Sequence, residues 1–166
     1  MPVTSKNSNY ERLKNMREFE TLSDLEAVVG EHIGTSQWVQ ITQEMINEFA
    51  EVTGDHQWIH TDPERTKKEL DMTTIAHGYL TLSMVPRFMD EIFKLKSVKR
   101  VVNYGSDKIR FTNMVPVDSR IRGKAVLKEL KFKRKFWYCV FELTVEIENA
   151  AKPALVAETI TLLFED

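Results

Sequence analysis

The sequence predicts an α+β fold in which a curved antiparallel β-sheet wraps around one long central helix. Two patterns predict it. Residues 76–94 carry helical apolar spacing, while from about residue 102 onward apolar and polar residues alternate with the period of strands. Three long strands against one buried helix is a ratio that suits a sheet curled about that helix. At 166 residues with 42% hydrophobic content, the chain can bury the core of one domain and is too short for two. Residues 1–20 are mostly polar and read as a flexible or peripheral arm, leaving 21–166 as a single domain.

In chain order, Leu22, Leu25 and Val28 repeat at helical spacing up to Gly30, a helix stop. Trp38 and Ile41 mark a short strand. Thr42 is a good N-cap for a helix with Met45, Ile46, Phe49 and Ala50 on its apolar stripe, ending at Gly54, a residue type that accepts the left-handed position after a helix. An irregular loop is expected over 54–61. Asp62-Pro63-Glu64 starts a charged surface helix that runs to about Leu70, with Asp as cap and Pro at its first position.

The central helix should run from Ala76 to about Lys94. Its first half has no charge and is expected to be buried all round. Its second half should expose Arg87, Asp90, Glu91 and Lys94 and bury Val85, Phe88, Met89 and Ile92. Pro86 cannot donate to the carbonyl of Leu82, so a kink is expected there. Ser119 to Leu130 reads as a long strand. In the next, Trp137, Cys139, Phe141, Leu143, Val145 and Ile147 share one side, and Glu142, Thr144, Glu146 and Glu148 the other. Asn149 to Pro153 is a turn, and Val156, Ile160, Leu162 and Phe164 belong to a returning strand.

Lys and Arg total 23 against 25 Asp and Glu, so a formal charge of −2 provides no global field for nucleic acid. The single cysteine, Cys139, cannot form an intramolecular disulfide and suits a reducing, cytoplasmic compartment. The longest stretch free of charge, Met72 to Pro86, is too short for a membrane span, and residues 1–8 have no apolar signal core. Four histidines (His32, His56, His60, His77) without a second cysteine show no zinc-type spacing, and neither a phosphate loop nor a dinucleotide fingerprint is present. No metal is expected.

The densest cluster of reactive side chains is Gly54-Asp55-His56-Gln57-Trp58-Ile59-His60-Thr61-Asp62-Pro63. An Asp and a His five positions apart on an irregular segment can converge on one water, one taking a proton and the other positioning or returning it. The same spacing suits an Asp that caps its own loop and histidines that only pack. The second cluster, Ile75-Ala76-His77-Gly78-Tyr79, opens the central helix. Backbone N–H groups there lack intrahelical partners and suit a developing oxyanion. Alternatively, Gly78 permits close packing and His77 is a hydrogen-bonded core histidine.

These two clusters together, Gly54 to Pro63 followed by Ile75-Ala76-His77-Gly78-Tyr79-Leu80-Thr81-Leu82-Ser83, resemble the hydratase motif of MaoC-type dehydratases, the R-specific enoyl-CoA hydratases, and particularly their NodN-like branch. Asn103-Tyr104-Gly105, Arg110-Phe111 and Pro116-Val117 extend the resemblance, which covers roughly 22–165. It implies a hot-dog fold and a hydro-lyase acting on trans-2-enoyl-CoA. By it, Asp55 and His60 activate water for addition that gives the R-3-hydroxyacyl product, and the Gly78 N–H holds the thioester oxygen. Gln57, His77, Asn103, Tyr104 and Arg110 are then candidates for substrate binding. The resemblance also implies a homodimer, coenzyme A as part of the substrate and no separate cofactor. Gln57-Trp58 stands where many active hydratases have Asn-Pro, and Pro86 where some have a serine.

Two other readings keep the fold: a hot-dog thioesterase, whose carboxylate and water attack the thioester carbonyl, and a non-catalytic acyl-thioester-binding protein. Lys94, Lys96, Lys99 and Arg100, and Lys128, Lys131, Lys133, Arg134 and Lys135, are basic groups that could meet coenzyme A phosphates or lie in solvent.

Overall fold

The computed structural model describes residues 16–165. The arm expected over 1–20 therefore lies mostly outside the described residues. Its last part, Arg17–Phe19, is strand β1, which pairs in parallel with β4 (Phe93–Leu95) and buries Phe19. The six-stranded antiparallel sheet is built from β2 (His32–Thr35), β3 (Val39–Gln40), β5 (Arg100–Phe111), β6 (Arg120–Lys133), β7 (Phe136–Ile147) and β8 (Leu155–Phe164). Its order is β2-β6-β7-β8-β5, with β3 also on β6, so β5 is an edge.

Helix α1 (Leu22–Glu26) starts in a capping box between Thr21 and Asp24. Helix α2 (Gln43–Thr53) begins and ends as the sequence predicts, with the Thr42 hydroxyl accepting from the Met45 N–H and Gly54 left-handed at φ 75°. The loop expected over 54–61 is irregular only to Gln57, because Trp58–Thr61 forms a helical turn, α3. Asp62 then caps α4 (Pro63–Leu70) through the Arg65 N–H.

The central helix comes in two pieces, α5 (Gly78–Ser83) and α6 (Val85–Ile92), separated at Met84, whose backbone is still right-handed helical. It starts two residues later and ends two residues earlier than expected. The expectation that its first half is buried all round fails. Tyr79 is 67% exposed, and Ser83 and Pro86 are exposed too, because the sheet of one chain covers only one side of the helix. Glu91, expected on the solvent face, is buried; its carboxylate accepts from the Gln37 N–H at 3.1 Å and lies 3.8 Å from Arg87.

Phe88 and Ile92 press on the concave face of the sheet, where Ile121, Ala125, Leu127, Phe141, Leu143, Val145 and Leu155 complete the core. A Cβ added at Gly123 would stand 2.7 Å from Cβ of Phe88, so helix and sheet meet with backbone-level closeness. Cys139 is buried on this face, and burial pushes its thiol up. On β8 the concave set is Leu155, Ala157, Thr159, Thr161 and Leu163, opposite Val145, Leu143, Phe141, Cys139 and Trp137. Val156, Ile160, Leu162 and Phe164 face outward by the alternation of the strand. Among the described residues no helix is long and apolar enough to cross a membrane.

Candidate active site

Segment 74–76 is stitched in place by backbone bonds: Ile75 N–H to Ile59 O (3.1 Å), Ala76 N–H to Val115 O (2.8 Å) and Val117 N–H to Thr74 O (2.9 Å). It brings the start of α5 beside α3, so the two reactive clusters of the sequence become neighbours. The Gln43 amide joins them from below. Its Nε2 donates to the His60 carbonyl at 2.7 Å, and its Oε1 accepts from the Thr74 hydroxyl at 2.5 Å.

His60 is 7% exposed, and its Nδ1 lies 2.7 Å from the Ile75 carbonyl. A carbonyl can only accept, so Nδ1 carries the proton and Nε2 is left with its lone pair. Burial holds the pKa of His60 below its ordinary 6.5, although the bond to Ile75 raises it; nearby His77 lowers it and Asp55 raises it. The ring is therefore a neutral base at pH 7.

His77, 2% exposed, stacks on His60 with ring centroids 3.8 Å apart and also touches Phe49. Its Nε2 donates to the Asp55 carbonyl at 2.9 Å, and its buried Nδ1 has no hydrogen-bond partner. The Asp55 side chain is exposed, accepting weakly from the Gln57 N–H at 3.5 Å. The Asp55 carboxylate and the two imidazoles offer atoms that all lie within 4.8 Å of one another. Among the described residues these three side chains form the group that could take a cation, which zinc-type spacing in the sequence did not indicate. One nitrogen of each ring is already engaged, His60 Nδ1 with the Ile75 carbonyl and His77 Nε2 with the Asp55 carbonyl.

Gly78 opens α5, so its N–H precedes the first intrahelical bond. A Cβ there would meet the Phe111 ring at 3.0 Å, so glycine is needed for close packing as well as for access. A cleft of about 390 Å³ runs along this surface, lined by His60, Ala76, Gly78, Thr81, Phe111 and Met114.

The other candidates fall elsewhere. Gln57 is exposed beside Asp55. Trp58 turns away from the cleft, its ring under the Arg65 guanidinium at 4.4 Å. Asn103 lines a different cavity, Tyr104 is exposed at a bulge of β5, and Arg110 donates to the Ile109 carbonyl with no carboxylate partner among the described residues. His56 faces Glu51 at 3.7 Å and His32 contacts Thr35, both exposed and outside the cluster. Of the basic groups, Lys96 pairs with Glu18 and Glu20, Lys128 with Glu158 and Glu142, and Lys131 with Glu129. Gln43, Thr74, Ile75 and Phe111 are parts of the site that sequence reasoning missed. Ile75 and Phe111 stood inside the quoted motifs, but no spacing rule ties Gln43 to His60.

Residues 24–149 match the model of the MaoC like domain. The 3-hydroxyacyl-thioester dehydratase Z of Mycobacterium tuberculosis is 48% identical over 146 residues, covering 87% of this chain and 97% of that protein. Nodulation protein N of Rhizobium meliloti is 41% identical over 145 residues, 86% of this chain and 90% of that protein. Among solved structures, a monoamine oxidase regulatory protein from an Archaeoglobus species superposes with a TM-score of 0.71 at 25% identity, over 90% of this chain and 97% of that one. The unliganded R-hydratase PhaJ1 of Pseudomonas aeruginosa gives 0.65 at 19% identity, over 83% of each chain, a likeness of fold. The fold is the hot-dog, and the chain belongs to the MaoC-like dehydratase family.

Proposed function

We propose that the chain is a hydro-lyase that reversibly adds water to a trans-2-enoyl thioester of coenzyme A, giving the R-3-hydroxyacyl thioester. The observation that carries this reading is His60: a buried, neutral imidazole, its proton fixed on Nδ1 by Ile75 and its Nε2 left bare, with a ring nitrogen within 4.8 Å of the Asp55 carboxylate. Such a nitrogen takes a proton from water while the water oxygen bonds to C3. Asp55 holds the water and offsets the charge of the imidazolium. The electron pair of the double bond moves toward the thioester oxygen, which the Gly78 N–H receives. C2 then takes the proton back from Nε2 on the face where oxygen was added. His77 keeps Asp55 and His60 in register through one hydrogen bond and one stacked face. The names of the relatives, a 3-hydroxyacyl-thioester dehydratase and R-hydratases, support the reaction class.

The active form in this reading is a homodimer. Val101, Tyr104, Phe111 and Met114, on or beyond the edge strand β5, are exposed together with Tyr79 of α5, a long unpaired edge with apolar surroundings. Antiparallel pairing of two β5 edges would put the Phe111 end of one copy, with its dyad, beside the Val101 end of the other. Asn103 and Tyr104 then approach the substrate from the second copy.

Crotonyl-CoA tests the reaction: loss of enoyl absorbance is expected, with R-3-hydroxybutyryl-CoA as product. Release of free thiol would replace hydration with thioester hydrolysis, and binding without turnover would make the chain an acyl-thioester-binding protein. A monomeric mass at micromolar concentration would overturn the dimer.

A further inference from the structure

A cavity of about 560 Å³ lies away from the dyad, between α6 and the concave face of β5 and β8. Its helix side is mostly apolar, with Val85, Pro86, Met89 and Phe93, and carries Ser83, Asp90 and Lys94 toward its rim. Its sheet side holds a denser polar group. Asn103 pairs across the strands with Thr161, and Ser106 with Thr159, so four polar side chains form one contiguous island. Around it the same face carries Leu155, Ala157, Leu163 and Phe141.

The two threonines are buried, yet neither hydroxyl has a hydrogen-bond partner among the described residues, and neither is sealed away from open space. Ser106 and Asn103 are likewise without side-chain partners there. Open to the cavity, these hydroxyls stay available for hydrogen bonds that valine, of the same volume, could not make. An apolar cavity with a few convergent polar groups is the usual form of a site that fixes one orientation of a ligand. The island thus has donors and acceptors to offer a group that enters the cavity.

We propose that the Asn103–Ser106–Thr159–Thr161 island selects acyl chains bearing oxygen, as a hydroxyl or carbonyl group, beyond the reacting double bond, over plain alkyl chains of the same length. This rests on the hydratase reading and on the paired β5 edges, which bring the dyad of one copy to the cavity of the other. It names the substrate class that such a site takes.

The test compares kcat/KM for trans-2-octenoyl-CoA with that for its 5-hydroxy, 7-hydroxy and 8-hydroxy derivatives. Wild-type protein should favour at least one hydroxylated substrate by about tenfold, the worth of one well-placed hydrogen bond. Thr159→Val with Thr161→Val should bring that ratio close to one, whereas Thr159→Ser with Thr161→Ser should keep it. Equal rates on all four substrates, or a preference that survives the valine pair, would overturn the proposal while leaving hydration intact. If wild-type protein hydrates neither crotonyl-CoA nor any of these, the hydratase reading has failed. The island is then judged by calorimetric affinity for 8-hydroxyoctanoyl-CoA and its 5- and 7-hydroxy isomers against octanoyl-CoA, equal affinities overturning it.

Discussion

The hairpin of β6 and β7 and the stretch from Gly54 to Gly78 are held together by different means. In the hairpin, every second residue of β7 enters an apolar core, and twelve paired positions run from Ile121–Ile147 to Lys133–Phe136. Any one contact is replaceable by a neighbour of similar size. Between Gly54 and Gly78 the interior is polar: His60 bonds to Ile75, His77 to Asp55, and Gln43 bridges His60 and Thr74. Those bonds are few, directional and mutually dependent. One region supplies rigidity by number, the other supplies position by geometry, so a substitution should report which region it strikes by whether stability or turnover changes.

The largest effect should come from the dyad. Asp55→Asn and His60→Gln retain hydrogen-bonding capacity and lose proton transfer, so each should lower hydration at least about 100-fold, within the typical 10²–10⁴ of acid–base catalysis. The double variant should be little worse than either single one. Melting temperatures should stay close to wild type, and His56→Gln and His32→Gln should remain within a few-fold in rate. A His60→Gln protein that melted as early as a core variant would erase the contrast between the regions.

Next comes the hairpin. Leu143→Ala, at a fully buried position of β7, should cost about 2–5 kcal/mol of unfolding free energy in denaturant titration, with the folded fraction turning over at the wild-type rate. Gln43→Met sharpens the comparison from between. It leaves the His60 carbonyl and the Thr74 hydroxyl without their partner, a loss of about 1–3 kcal/mol. Unlike Leu143→Ala, it should also slow turnover, because the backbone that carries His60 loosens. A stability loss with no change in kcat would detach Gln43 from the site.

The smallest effect is in pH. Burial holds the pKa of His60 below 6.5, so the acid limb of kcat/KM should fall with an apparent pKa below that value. The sign for stability follows from the same shift. As pH falls below 6.5 the unfolded chain takes up the proton first, so the folded state loses stability until the folded pKa is passed. In His60→Gln this part of the acid-side loss should vanish. An acid limb above 6.5 would assign the base to another group.

The same division explains what the sequence made legible. Periodicity reports burial, and so α2, α4 and β7 could be read almost to the residue, helix caps included, while β6, expected to end at Leu130, continues to Lys133. It fails where burial depends on something outside the chain's own periodicity. The charge-free start of the central helix looked buried on every side, yet Tyr79 lies open because one chain's sheet covers one flank. Glu91 looked solvated because it is charged, yet the unpaired N–H of Gln37 draws it inward. At the site, spacing left Asp55, His60, His77 and Gly78 open between chemistry and packing, the family resemblance marked them, and the structure brings them together. Gln43, 17 positions before His60, was invisible because hydrogen bonds between distant segments leave no local pattern.

The bond from His60 Nδ1 to Ile75 also has an isotopic consequence. With that nitrogen occupied and buried, the imidazole has a single door for protons. In the proposed mechanism run in the dehydration direction, a deuteron taken from C2 of a 3-hydroxyacyl thioester would sit on Nε2, facing the carbon it left and the departing oxygen, with no second nitrogen through which to escape. Reversal of the step before water leaves should therefore return label to C2. Substrate recovered early from ordinary water would keep more deuterium than free exchange at the imidazole allows.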